Sequence, residues 1–160
     1  MALRKPLVIK DGLIEQIQSG DTLDAVCTEI DVVSMQNNNA GTIVIGMAVY
    51  VDGAGTVDLA QADAAATIEV LGLVQPATIT AAASGYIVTD GVLTATTDQW
   101  DAVTGDVGGL TAGAVYYLDP DTPGLLTTTA TTTVGEYVVR VGKAISTLAL
   151  EISITQPILL

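Results

Sequence analysis

At 160 residues the chain is the size of one domain, and its net charge of −13, from 18 acids against 5 bases, excludes nucleic acid and anionic membrane as partners for its bulk, because such a surface repels phosphate. The absence of histidine removes Ser–His and Cys–His nucleophilic systems together with the commonest metal ligand. The single cysteine, Cys27, excludes an internal disulfide framework and reads as a small buried hydrophobe, so stability has to come from burial of roughly 70% of the unfolded chain's surface.

The first ten residues, "MALRKPLVIK", carry Arg4, Lys5 and Lys10, and the next base in the chain is Arg140. "LVI" is interrupted by Lys10 and Asp11, too early for the apolar stretch of about 7 to 15 residues that an export signal needs. We therefore expect synthesis in the cytoplasm without a signal peptide, and no stretch is apolar enough to predict a membrane span. Pro6 cannot donate to a ladder, and Gly12 and Gly20 break the following pattern into short runs. Residues 1–35 are accordingly expected to form an arm or peripheral ribbon, with "QNNNAG" (Gln36–Gly41) as a polar turn before a β-rich body at 36–160.

From Thr42 onward Val, Thr, Ile and Tyr dominate, cut at short intervals by Gly, Asp and Asn, which predicts many short strands joined by tight turns. "TIVIGMAVYV" (Thr42–Val51) reads as one strand that turns at "DGAG" into "TVDL". Ile43, Ile45, Met47, Val49 and Val51 share one face, while Val44, Ala48 and Tyr50 share the other. Apolar faces on both sides place this strand either inside a sandwich or barrel or against a neighbouring subunit. "AQADAAAT" (Ala60–Thr67) is the only stretch that reads as a helical turn. Strands are then expected at "IEVLGLV", "GYIVT", "GVLTA", "AVYYL" and "GLLTT", with "DG", "GG" and "DPDTPG" as turns. In "EYVVRVGKAISTLALEISIT" a two-residue turn at Ser146–Thr147 places Ile145 opposite Leu148, Val141 opposite Ile152 and Val139 opposite Ile154, with Arg140 diagonal to Glu151. A bulge at Gly142 would shift that register. The fold class expected is all-β: a compact antiparallel β-sandwich or barrel with an extended N-terminal arm.

No catalytic motif emerges. The serines lack a lysine at Ser-x-x-Lys spacing, and "GDVGGL" has no lysine and carries its own acid, unlike a phosphate loop. Asp119 and Asp121 flank Pro120 as a hairpin turn requires, without the alternating acid spacing of a calcium loop. The remaining acids, among them Asp58, Asp63, Asp98, Asp101 and Asp106, read as solvated loop residues, so neither cofactor nor metal is expected. Trp100, beside two acids, is either a core or interface anchor or a platform on which a sugar stacks.

"GLTAGAVYYLDPDTPGLLT" followed by "VVRVGKAISTLALEISI" resembles a pattern in structural proteins of tailed bacteriophages: capsid decoration (cement) proteins, head fibres and tail-fibre modules. "GMAVYVDGAGTVDLAQAD" and "VLGLV" look like the first half of the same module, and "KPLVIKDGLIEQIQSGDTL" is similar to leading segments of head-decorating proteins. The resemblance implies a non-enzymatic homotrimer on the capsid surface of the virion, with the major capsid protein as partner. In that setting Arg4, Lys5 and Lys10 would dock on acidic or carbonyl-lined surface of the shell. The alternatives are a head-fibre or tail-fibre module that binds a host-surface glycan through Trp100, and, for the arm alone, a solvated tail.

Overall fold

The structure is a computed structural model that describes residues 30–75 and 77–160, together with the backbone of Leu7–Lys10 and Leu13–Gln16. Cys27 lies outside the described residues. In chain order the strands are β1 (Leu7–Lys10), β2 (Leu13–Gln16), β3 (Asp31–Asn37), β4 (Ile43–Val44), β5 (Ala48–Gly53), β6 (Thr56–Leu59), β7 (Val70–Val74), β8 (Thr78–Ile79) and β9 (Ser84–Thr94). A helix, α1 (Thr97–Thr104), follows, and then β10 (Val115–Leu118), β11 (Leu126–Thr127), β12 (Tyr137–Val138), β13 (Arg140–Ala144), β14 (Ala149–Ile152) and β15 (Ile158–Leu159).

The chain is all-β with one short helix, as its composition predicts, and the main sheet curls into a barrel. β3 pairs with β9 and, in parallel, with β6; β6 pairs with β5, β5 with β7, and β7 returns to β9, closing five strands on themselves. Alternation along each strand then fills two cores. Val49, Val57, Val74 and Ile87 point into the barrel with Ile43 and Ile79. Their neighbours Ala48, Leu73 and Val88 point outward, into a second core with Trp100, Tyr116, Leu118, Leu150 and Ile152. This resolves the two apolar faces of the stretch up to Tyr50, because Ala48 and Val49 are buried on opposite sides by the chain itself, while Val51 is exposed. The second core is roofed by a sheet in the order β11-β10-β13-β14-β9, so the 11-residue β9 belongs to both halves.

Five expectations are corrected. "GYIVT" and "GVLTA" are one strand, β9, because Asp90 and Gly91 sit in its ladders with β3 and β14 instead of making a turn. Thr42–Val51 is two strands, because Gly46 takes φ +85° and a Cβ there would stand 2.9 Å from the Trp100 ring. Close approach of backbone to indole demands glycine at that point and breaks the strand. Ala60–Thr67 is a series of turns, although Ala favours helix. Its backbone is tied to strands elsewhere, through Ala60 N–H to Ala48 O, Ala62 N–H to Asp119 O and Tyr137 N–H to Ala62 O, while Ala60 and Ala62 are fully buried. The helix lies instead at Thr97–Thr104, where Thr96 and Gln99 form a reciprocal capping box, Trp100 and Val103 give a buried face, and Gly105 closes the C-terminus at φ +71°.

The last correction concerns the C-terminal hairpin. Gly142 pairs with Ile152, Lys143 with Glu151 and Ala144 with Leu150, one residue off the expected register. The turn has three residues, Ser146–Leu148, because the Leu148 carbonyl is drawn away to accept both the Trp100 indole N–H (2.9 Å) and the Ala95 N–H (2.9 Å). The shift tells at the tip, where Ile145 and Leu148 are exposed and Ala144 enters the core, while Val139, Val141, Leu150 and Ile152 stay buried as their alternation predicts. Glu151 stands across from Lys143 rather than diagonal to Arg140. A bulge does occur beside Gly142, in the ladder with β10, where Tyr116 pairs with Gly142 and Tyr117 with Arg140.

Asn37 ends β3 as the buried polar residue of the body, its side chain inaccessible. Its amide donates to Gly41 O and Ile79 O, both at 2.9 Å, and its carbonyl accepts Asn39 N–H at 2.8 Å. Asn37→Leu is expected to lower stability by about 3 kcal/mol in equilibrium urea denaturation, since it leaves these groups without partners in a dry site. An unchanged midpoint would show that water replaces the amide.

Candidate functional site

Asp58, Asp101 and Asp119, among the acids that could suggest chemistry, are engaged in holding loops. Asp119 Oδ1 accepts from Asp121 N–H (2.7 Å) and Thr122 N–H (2.8 Å), closing its turn. Asp101 ties Gly108 N–H (3.0 Å) and Gly109 N–H (2.6 Å) to the helix, and Asp58 accepts from Asn39 Nδ2 and Leu59 N–H. An open cleft of about 330 Å³ is lined by Asp119, Asp121, Glu136 and a run of threonines, and Thr131 donates to Glu136 within it. Among the described residues no group of three or more His, Cys, Asp or Glu side chains is placed to hold a metal ion. For Asp52, partial desolvation pulls its carboxyl upward, but hydrogen bonds with Thr56, Asn38 and its own backbone outweigh this and hold it below the usual range. The Tyr50 phenol is pushed up by burial and then by the nearby Asp58 and Asp52. Neither shift activates a nucleophile or an acid.

Trp100 is 0% exposed and its N–H is satisfied by Leu148 O, so it anchors the second core and offers no face to a sugar or a neighbouring subunit. Arg4 and Lys5 lie outside the described residues; Lys10 closes β1 by its backbone, and its side chain is also outside them. β1 and β2 form a hairpin, Leu7 opposite Gln16 and Lys10 opposite Leu13, and pair only with each other among the described residues.

The surface that stands out is β3. The sheet begins at Asp31, five residues before the boundary that composition suggests for the body. Asp31, Val32, Val33 and Ser34 are all exposed, on both faces of the strand. Val32 is 44% and Val33 38% exposed, and Tyr86, opposite Ser34 on β9, is 56% exposed. One edge of β3 is fully registered on β9, whereas β6 meets the other edge only at Gln36 and Asn37. Gln36 N–H points to that second edge, donating to Gly55 O, and Asn37 N–H points back, donating to Ala83 O. Backbone groups alternate along a strand, so the N–H and C=O of Ser34 and Val32 face that second edge, which is open among the described residues. At its start, Asp31 stands directly across from Asp90, both exposed, and like charges in that relation repel. Sequence inspection missed this site because "DVVSMQN" gives no alternation to mark a buried face, and an open edge is a property of sheet order.

No protein-family model matches the chain. No curated protein matches it either. Among solved structures, a chain from the capsid of Myoviridae phage XM1 aligns over 94% of this chain and 97% of its own length, at 19% identity and a TM-score of 0.46. A likeness at that level carries no argument. Among the described residues no helix is long and apolar enough to cross a membrane.

Proposed function

We propose that the chain is a non-enzymatic structural protein of a tailed-bacteriophage virion, a decoration or cement protein that binds the icosahedral shell on its outer surface. The observation that carries this reading is the strand at the root of the arm: β3 is apolar on both exposed faces and open along one edge, which suits a piece of an assembly and is a liability for a lone monomer. The resemblance of "GLTAGAVYYLDPDTPGLLT" and "VVRVGKAISTLALEISI" to phage decoration and head-fibre proteins supplies the kind of assembly. Asp101 and Asp119 spend their carboxylates on closing turns, in keeping with a structural role. The partners in this reading are the major capsid protein and further copies of the chain, as a homotrimer, while a net charge of −13 disfavours nucleic acid and membrane.

In this role the basic arm, Arg4, Lys5 and Lys10, faces acidic or carbonyl-lined surface, with Arg4 and Lys5 at its tip making the contact with the shell. Reversing the two foremost charges, Arg4→Glu with Lys5→Glu, should weaken binding to shells of the encoding phage, purified without this protein, by at least about tenfold in co-sedimentation at low salt. Equal binding by the double variant would remove the arm from the docking role. The glycan-binding fibre alternative has lost its anchor, since Trp100 has no exposed surface.

A further inference from the structure

Two elements of the chain lack a partner, and each has what the other needs. The β1–β2 hairpin pairs with no further strand among the described residues, and an isolated two-stranded hairpin is marginally stable at best in water. Among the described residues no strand pairs with the second edge of β3 along Asp31–Met35, toward which the N–H and C=O groups of Ser34 and Val32 point. Val32, Val33 and Tyr86 beside this edge are exposed. The charges are complementary as well. The repelling pair Asp31 and Asp90 marks one end of the β3 edge, and between Lys10 and Arg140 the chain has no base to neutralise it. "LVIK" (Leu7–Lys10) is an apolar strand that ends in a lysine. Thirteen residues, 17–29, connect the hairpin to the body, a reach of up to roughly 45 Å at full extension, enough to span to an adjoining molecule.

We propose that the Leu7–Lys10 strand of one copy adds to the open edge of β3 in a second copy of this chain, with Lys10 placed against Asp31 and Asp90. The contact joins two different surfaces, so wherever the rotation closes it makes a ring in which every copy gives one strand and receives one. Main-chain hydrogen bonds supply the register, and burial of Val32, Val33 and Tyr86 supplies the driving force. The inference rests on the proposed function only in taking the chain as part of an assembly, and it is tested in solution with no shell present.

The test is Ser34→Pro in the full-length chain, read by sedimentation equilibrium. Proline removes an N–H that faces the open edge and leaves the hydrogen bonds to β9 in place, so the barrel should melt as in the parent chain. The wild-type chain is expected as a discrete oligomer, Ser34→Ala as the same oligomer, and Ser34→Pro as monomer. Lys10→Glu should weaken association at least tenfold, and adding Asp31→Lys should restore it; this pair decides the matter if the proline variant does not fold. A monomeric wild type, or an unchanged mass for Ser34→Pro and Lys10→Glu, would overturn the proposal, the latter pointing to a hairpin that completes β3 of its own chain or to a different interface. Loss of shell binding with the oligomer intact would bear on the proposed docking role alone.

Discussion

Trp100→Ala is expected to lower the unfolding free energy by about 4 kcal/mol, within the range for large aromatic residues truncated in a core. The residue is fully buried at the junction of three elements. Its ring lies against the backbone at Gly46, where β4 gives way to β5, and its N–H donates to Leu148 O, which sets the three-residue turn of the C-terminal hairpin. Truncation therefore removes packing from the second core and one of the two bonds that hold Leu148 out of the strand. Trp100→Phe separates these effects: most of the packing is retained, Ala95 N–H still satisfies Leu148 O, and the loss should fall to about 2 kcal/mol. Urea denaturation followed by circular dichroism measures both. A loss below about 1.5 kcal/mol for the alanine variant would mean that the core closes over the space and that Trp100 does not organise the hairpin.

Gly72→Ala is expected to be at least as damaging, about 3 kcal/mol or more, through overlap rather than a void. Gly72 lies in β7 at the seam where the barrel closes, and a Cβ there would overlap the carbonyl of Val88 and come within 2.9 Å of Ile87 Cγ2. The obstacle is mainly backbone of β9, which cannot yield without parting β7 from it. Gly55→Ala is the control. It adds the same methyl where no atom lies within 4 Å, at φ +82°, so it carries only conformational strain of about 1 kcal/mol. Equal melting temperatures for the two variants would show that the seam is loose.

The sequence was most informative where alternation and turn residues agree. The turn at Asp52–Gly55, the Asp119–Gly124 turn and the paired apolar faces of Ala48–Tyr50 all follow from local chemistry. It was least informative where a distant group decides. Nothing near Ser146 reveals that the Leu148 carbonyl will be claimed by an indole 48 residues earlier, so the hairpin register could not be read. Ala60–Thr67 looks helical by propensity and is held as turns by strands that are remote in sequence. The helix was hidden because Thr96, Gln99 and Gly105 are ordinary residues until their roles as caps are seen together. For the candidate site, the basic residues Arg4, Lys5 and Lys10 are plain in the composition. The open edge of β3 is not, because it arises from β6 meeting β3 at only two positions.

β9 also has a mechanical consequence. β3 leaves the arm and lies along β9 through six registered pairs, and β9 runs on without interruption into its ladder with β14. A pull on the arm therefore loads β3 against β9 in shear, so that several hydrogen bonds resist together instead of parting one at a time. The same continuous strand hands the tension to the second sheet. Force entering at residue 31 is thus shared by both cores.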